Sequence, residues 1–228
     1  MQLLVSPSSI AEARHSLAAD IIDVKRPAEG SLGANFPWVI REIRSFSTKP
    51  VSAAIGDFPA KPGGAALAAY GAACAGADFV KIGLAFNGTS EAREVIGAVV
   101  RAVKDEFPEK KVVIAAYSDY ERMGTIPPSV MAPIAAGLGA DYAMIDTGIK
   151  DGKSTFEFMS DAELALFTKG NTDLGLKTAI AGSLKFGDLD RLKSINPAII
   201  GVRGMVCGGD RNATIREDLI MTALERIR

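Results

Sequence analysis

Short apolar runs rich in β-branched residues alternate along this chain with longer segments in which apolar residues recur every three or four positions. The first pattern is that of strands buried on both faces, the second that of helices laying one face on them. Their alternation predicts repeated βα units around a parallel sheet. Eight strand-like runs are found, at Leu3–Ser6, Ile21–Lys25, Val51–Gly56, Asp78–Gly83, Lys111–Tyr117, Tyr142–Thr147, Lys177–Ser183 and Ala198–Gly204. Helices are predicted at Ile10–Ala18, Phe36–Phe46, Ala65–Ala75, Ser90–Phe107, Pro128–Leu138, Asp161–Leu174, Gly187–Ile195 and Ala213–Ile227. Eight units close a (β/α)8 TIM barrel, the α/β fold expected here, with an open doubly wound sheet as the alternative.

Local signals agree with this frame. Ser9 with Glu12 and Ser160 with Glu163 have capping-box spacing, in which side chains and backbone donors at a helix start satisfy one another. Gly76-Ala77-Asp78 and Gly139-Ala140-Asp141 each stand between a helix and a strand, the glycine suited to a left-handed helix end. No linker or shift in composition divides the chain, so residues 1–228 read as a single domain.

Composition narrows the chemistry. Lys and Arg number 26 against 27 Asp and Glu, which leaves no basic footprint for a nucleic acid. Two cysteines, Cys74 and Cys207, are too few for a disulfide framework or thiolate metal site, and the single histidine, His15, excludes any multi-histidine site. No metal or cofactor is expected, and proton transfers must use Lys, Asp, Glu, Tyr, Ser or Cys. Apolar runs stop well short of the roughly 20 residues a membrane helix needs, and no cationic-then-apolar leader precedes the first strand. The expectation is a soluble cytoplasmic protein. His15 reads as exposed, Cys74 as core, Trp38 as a packing residue, and Cys207 as inert for want of a histidine partner. The small-residue segment Gly64–Gly76 is compatible with packing on a second copy as well as on the barrel, so a homo-oligomer stays open.

Active sites of (β/α)8 barrels lie at the carboxyl ends of the strands. Polar residues end nearly every run: Ser6, Asp23 and Lys25, Asp57, Lys81, Ser118-Asp119, Asp146, Ser183 and Arg203. Lys25 and Lys81 interrupt apolar strands, where a charge has no solvent to hold it. Such an amine either pairs with a carboxylate or loses its proton and becomes a nucleophile able to form a Schiff base. The competing reading is a structural lysine paired with Asp23. Asp146 and Lys150, four residues apart after the sixth strand, could orient an amine or relay protons, or belong to an ordinary solvated loop. Gly182 and Ser183, then Arg203, Gly204, Gly208, Gly209 and Arg211, occupy the seventh and eighth βα loops, where backbone N–H groups and arginines commonly hold phosphate.

The run Asp23-Val24-Lys25-Arg26-Pro27 through Trp38, with Val51–Asp57, Asp146–Lys153 and Gly201–Arg211, resembles the (5-formylfuran-3-yl)methyl phosphate synthase family over essentially the whole chain. Two departures stand out: Arg26, where the family more often has Asn, and Ala116-Tyr117-Ser118-Asp119, where it has Gly-Tyr-Ala-Asp. The resemblance implies a (β/α)8 lyase that condenses two molecules of glyceraldehyde 3-phosphate into a phosphorylated furan aldehyde, releasing phosphate and water, for methanofuran or methylofuran synthesis. It implies a Schiff base on Lys25, acid–base work by Lys81, and Asp146 and Lys150 as the family's strand-six Asp and Lys. The mechanism expected has neutral Lys81 as the base and the enamine adding to the second aldehyde, with Asp146 and Lys150 orienting amines, moving protons or holding a phosphate. The only partner implied is the phosphorylated aldehyde. The alternatives are a Schiff-base triose-phosphate aldolase and a non-catalytic phosphometabolite-binding barrel.

Overall fold

In the computed structural model, which describes residues 1–228, the apolar runs become parallel strands β1 (Gln2–Val5), β2 (Ile21–Val24), β3 (Val51–Phe58), β4 (Phe79–Leu84), β5 (Lys111–Tyr117), β6 (Tyr142–Asp146), β7 (Lys177–Ile180) and β8 (Ile199–Val202). They pair in sequence order into a closed barrel, β1 returning to β8 with Leu4 opposite Gly201. An open sheet is thereby excluded. Helices α1 (Ile10–His15), α2 (Pro37–Phe46), α3 (Pro62–Cys74), α4 (Thr89–Lys104), α5 (Tyr120–Met123), α6 (Pro128–Gly137), α7 (Asp161–Asp173), α8 (Leu189–Ile195) and α9 (Glu217–Ile227) lie between and after the strands.

Side chains alternate across a strand, so each β-branched run serves two cores. The larger lies between sheet and helices, with Val80, Ile82, Val112, Ile114 and Ile145. The smaller fills the barrel interior with Leu4, Ala54, Val113, Ala115, Met144, Ala179 and Ala181. The same inward parity carries Asp23, Lys25, Lys81, Asp146 and Arg203. The interior is therefore apolar below and charged at the carboxyl-end mouth.

Three aspartates just before even-numbered strands lock the opposite end. Asp20, Asp78 and Asp141 accept the backbone N–H of Leu3, Val51 and Val112, the opening residues of the neighbouring strands or next to them, at 2.9, 2.8 and 2.8 Å. Gly76 and Gly139, at φ +104° and +84°, make the turns into two of them, as the Gly-Ala-Asp repeats predict.

Several boundaries differ from the sequence reading. α1 stops at His15, and α9 starts at Glu217, leaving 210–216 as loop. The capping box at Ser160 forms in full, but at Ser9 only half of it does: Ser9 accepts from Glu12 N–H, while the Glu12 carboxylate turns to Ser8 and Arg203. The short helix α5 has too few residues to show a helical period and was not anticipated. Cys74 is exposed rather than core. Trp38 is 59% exposed and stacks flat on Phe36, a partner just before the helix rather than in the core. No helix is long and apolar enough to cross a membrane.

Candidate active site

The mouth of the barrel opens into a cavity of about 510 Å³, lined by Asp23, Lys25, Lys81, Asp146, Lys150 and the nominated residues of the loops after β7 and β8, while Asp57, Ser118 and Asp119 lie outside it. Small-molecule sites span roughly 300–1,000 Å³. Two lysine–carboxylate pairs frame it. Lys81, 1% exposed, places Nζ 2.8 Å from both oxygens of fully buried Asp23, which also accept hydrogen bonds from Ser6 and Ser52 at 2.8 Å. Asp23 thus has every bond a carboxylate needs to stay ionised indoors. Burial favours its neutral form, yet the charges of Lys81 and Lys25 outweigh burial and hold it below the usual carboxylate range. Across the mouth, Lys150 Nζ lies 2.6 Å from Asp146 Oδ1 and 3.0 Å from Thr147 Oγ1. Burial again opposes ionisation, and Lys150 with Lys25 outweighs it, so Asp146 also titrates low.

Lys25 stands between the two pairs and belongs to neither. Its amine has no hydrogen-bond or ion-pair partner, although the residue is only 7% exposed. Burial lowers its pKa most, Asp146 and Asp23 raise it, Lys81 and Lys150 lower it again, and the balance is about 8. A useful fraction is then uncharged near neutral pH, the form that attacks a carbonyl.

The loop after β7 supplies donors of another kind. Gly182 and Ser183 both adopt positive φ, +99° and +50°, and the N–H groups of Gly182, Ser183 and Leu184 donate to no protein acceptor. Successive free N–H groups of this sort form an anion-binding concavity. The loop after β8 is different. Gly208 and Gly209 turn their N–H groups onto the carbonyl of Gly204. Arg203 gives its guanidinium to Glu12, Ser8, Ser6 O and Arg211 O, which accounts for its donors. Arg203 ties β8 to the first βα loop, while the Arg211 guanidinium has no protein partner. Cys207 is buried and its thiol is pushed up by that burial, which disfavours the thiolate.

Lys185 and Arg216, outside the residues expected at the site, line the same cavity. Lys185 was legible as the next cation after Gly182-Ser183. Arg216 reaches the mouth only because 210–216 is loop, and no local pattern signals that.

The 4-HFC-P synthase family profile matches residues 3–224. The chain belongs to that family, the (5-formylfuran-3-yl)methyl phosphate synthases. A member from Methanosarcina mazei is 56% identical over 225 residues, 96% of each chain. One from Archaeoglobus fulgidus is 49% identical over 233 residues, covering 100% of this chain and 99% of its own. As a member of a synthase family, the protein is an enzyme. The solved structure of 3-hexulose-6-phosphate synthase from Salmonella typhimurium superposes with a TM-score of 0.68 at 16% identity over the whole of both chains, a likeness of fold alone.

Proposed function

We propose that this synthase condenses two molecules of glyceraldehyde 3-phosphate into (5-formylfuran-3-yl)methyl phosphate through a Schiff base on Lys25, as a carbon–oxygen lyase in methanofuran-type coenzyme synthesis. The observation that carries this reading is the partnerless, buried Lys25 amine, flanked by two lysine–carboxylate pairs at the mouth of a barrel. Family membership supplies the product.

The product's skeleton fixes the bonds. Two C3H7O6P become C6H7O6P, one H3PO4 and two H2O. The furan's carbons divide into two linear trioses in one way only, and the new C–C bond joins the central carbon of one to a terminal carbon of the other; we assign it to the carbon that phosphate leaves, in place of the aldehyde carbon expected above, because the second triose's aldehyde then survives as the product's aldehyde without a change of oxidation state. Lys25 adds to the aldehyde of the first triose and water departs. The iminium withdraws electrons, and the proton on the central carbon is taken by a base. Loss of phosphate from the second triose gives an unsaturated aldehyde, whose terminal carbon accepts the enamine. The oxygen on the second triose's central carbon then closes on the iminium carbon and expels Lys25. A second water leaves, and aromaticity drives the ring to completion.

Residue roles follow from the pairs. An ion-paired ammonium donates protons, so Lys81 serves as acid and as a positive neighbour that helps lower the pKa of Lys25. The base is Asp146, whose Oδ2 makes no hydrogen bond. This exchanges the role of base expected for Lys81. The free N–H groups of Gly182–Leu184, with Lys185 beside them, take one phosphate, and Arg211 takes the other.

Borohydride reduction during turnover of glyceraldehyde 3-phosphate is the test. A reduced triose adduct on the Lys25 peptide, with a product of furan-aldehyde mass, is expected. No adduct at Lys25 overturns the mechanism, and a hexose bisphosphate as sole product replaces it with an aldolase.

A further inference from the structure

A buried carboxylate outside the two lysine pairs governs how one of them is held. Asp119 lies two residues beyond the end of β5, its side chain is shielded from solvent, and its two oxygens accept the N–H groups of Gly148 and Ile149 at 2.6 and 3.0 Å. Those N–H groups belong to the turn that carries Lys150 back onto Asp146, four residues earlier. Charged neighbours of Asp119 are few: Arg122 of α5 lies 4.0 Å away and spends itself on Asp151 at 2.8 Å, and the Tyr117 phenol is the nearby titratable group. The turn also rests on α5, because a Cβ on Gly148 would lie 2.7 Å from Met123 Sδ. Asp119 and α5 together form a bracket for the Lys150 turn, on an element that otherwise has no place in the chemistry.

We infer that Asp119 is a positioning residue for the reaction: by pinning residues 148–149 it keeps Lys150 on Asp146 and so sets the charge environment in which the Lys25 amine works. The groups facing that amine are Asp23, Lys81, Asp146 and Lys150. Of these, only Asp146 and Lys150 depend on the bracket. If the turn loosens, Lys150 withdraws a positive charge from Lys25 and leaves Asp146 more negative toward it, and both changes favour the protonated amine. Simple loss of the Asp119 charge would act in the opposite direction. The sign of the shift therefore separates positioning from bare electrostatics.

This inference rests on Lys25 being the working amine, so the readout is chosen to be independent of turnover. The pH dependence of Lys25 modification by a small acylating reagent, followed by peptide mass spectrometry, reports its titration in the free enzyme. In Asp119→Asn the titration is expected to move upward by about one unit. Activity toward glyceraldehyde 3-phosphate should fall about 10- to 100-fold in kcat with KM little changed. Lys150→Ala should move the titration similarly, and the double variant should add nothing further. Should Asp119→Asn fail to fold, Asp119→Ser, which withdraws both carboxylate acceptors from the turn, should give the same upward move. An unmoved or downward Lys25 titration in a folded variant, or additive effects with Lys150→Ala, overturns the inference. Failure of borohydride trapping with an upward titration intact would overturn the Schiff-base mechanism and leave the bracket standing.

Discussion

Lys25 and Lys81 are alike in strand parity, yet one is ion-paired and the other is not, because Asp23 can face only one of them. Lys81 holds both Asp23 oxygens, and Lys25 is left buried without a partner. Native Lys25 titrates near 8 rather than 10.5, so below pH 8 both folded and unfolded chains carry the proton and the fold bears the full penalty of the buried charge. Between about 8 and 10.5 the folded state releases it first, and stability from this group rises with pH. Lys25→Met, which removes the amine at similar size, should be inactive and yet more stable at pH 7, by at most about 3 kcal/mol. Thermal melts at pH 7 and pH 10 check this: the gap between variant and wild type should shrink at the higher pH.

At the level of elements, the loops that follow strands β6 and β7 are built against each other. Gly182 sits at φ +99°, and a Cβ there would meet Thr155 Oγ1 and lie 2.8 Å from the backbone nitrogen of Thr147. Thr155 Oγ1 in turn donates to Ala181 O at 2.6 Å. Gly182→Ala should therefore destabilise the protein by about 1–3 kcal/mol and disturb the N–H groups of Gly182–Leu184 together. Urea unfolding measures the first effect. On the proposed reaction, a rise in KM for glyceraldehyde 3-phosphate, larger than any fall in kcat, measures the second. On the other side of the mouth, Ser31 Oγ donates to Thr147 O at 2.8 Å, so the loop after Lys25 is tied to the same junction.

Across the whole molecule, carboxylates held low by their partners set the acid limit of the fold. In Asp23, Asp146, Asp141 and Glu12 burial opposes ionisation, and ion pairs and hydrogen bonds outweigh it. Their folded pKa values lie below the unfolded ones, so the stability they contribute is present above about pH 4 and is lost as pH falls through the folded values. The urea midpoint should fall steeply below pH 4 as these groups take up protons. A midpoint unchanged from pH 6 to pH 3 would contradict the pairing described here. The eight strands, their parity and the residues at their carboxyl ends were all readable along the chain, because a buried strand needs a continuous apolar run and a charge inside one stands out. A lysine on Asp23 and Lys150 folded back on Asp146 were open readings, but which lysine takes Asp23 was not readable. Lys81 with Asp23 joins residues 58 apart, and Asp119 with Gly148 joins residues 29 apart. Arg203 with Glu12, 191 apart, exists only once β8 closes against β1. Periodicity and charge are local properties, so the burial of these charges at the mouth of the barrel is written along the chain. Which amine is left without a counter-charge is not, because that depends on which carboxylate closure of the barrel brings within hydrogen-bond reach.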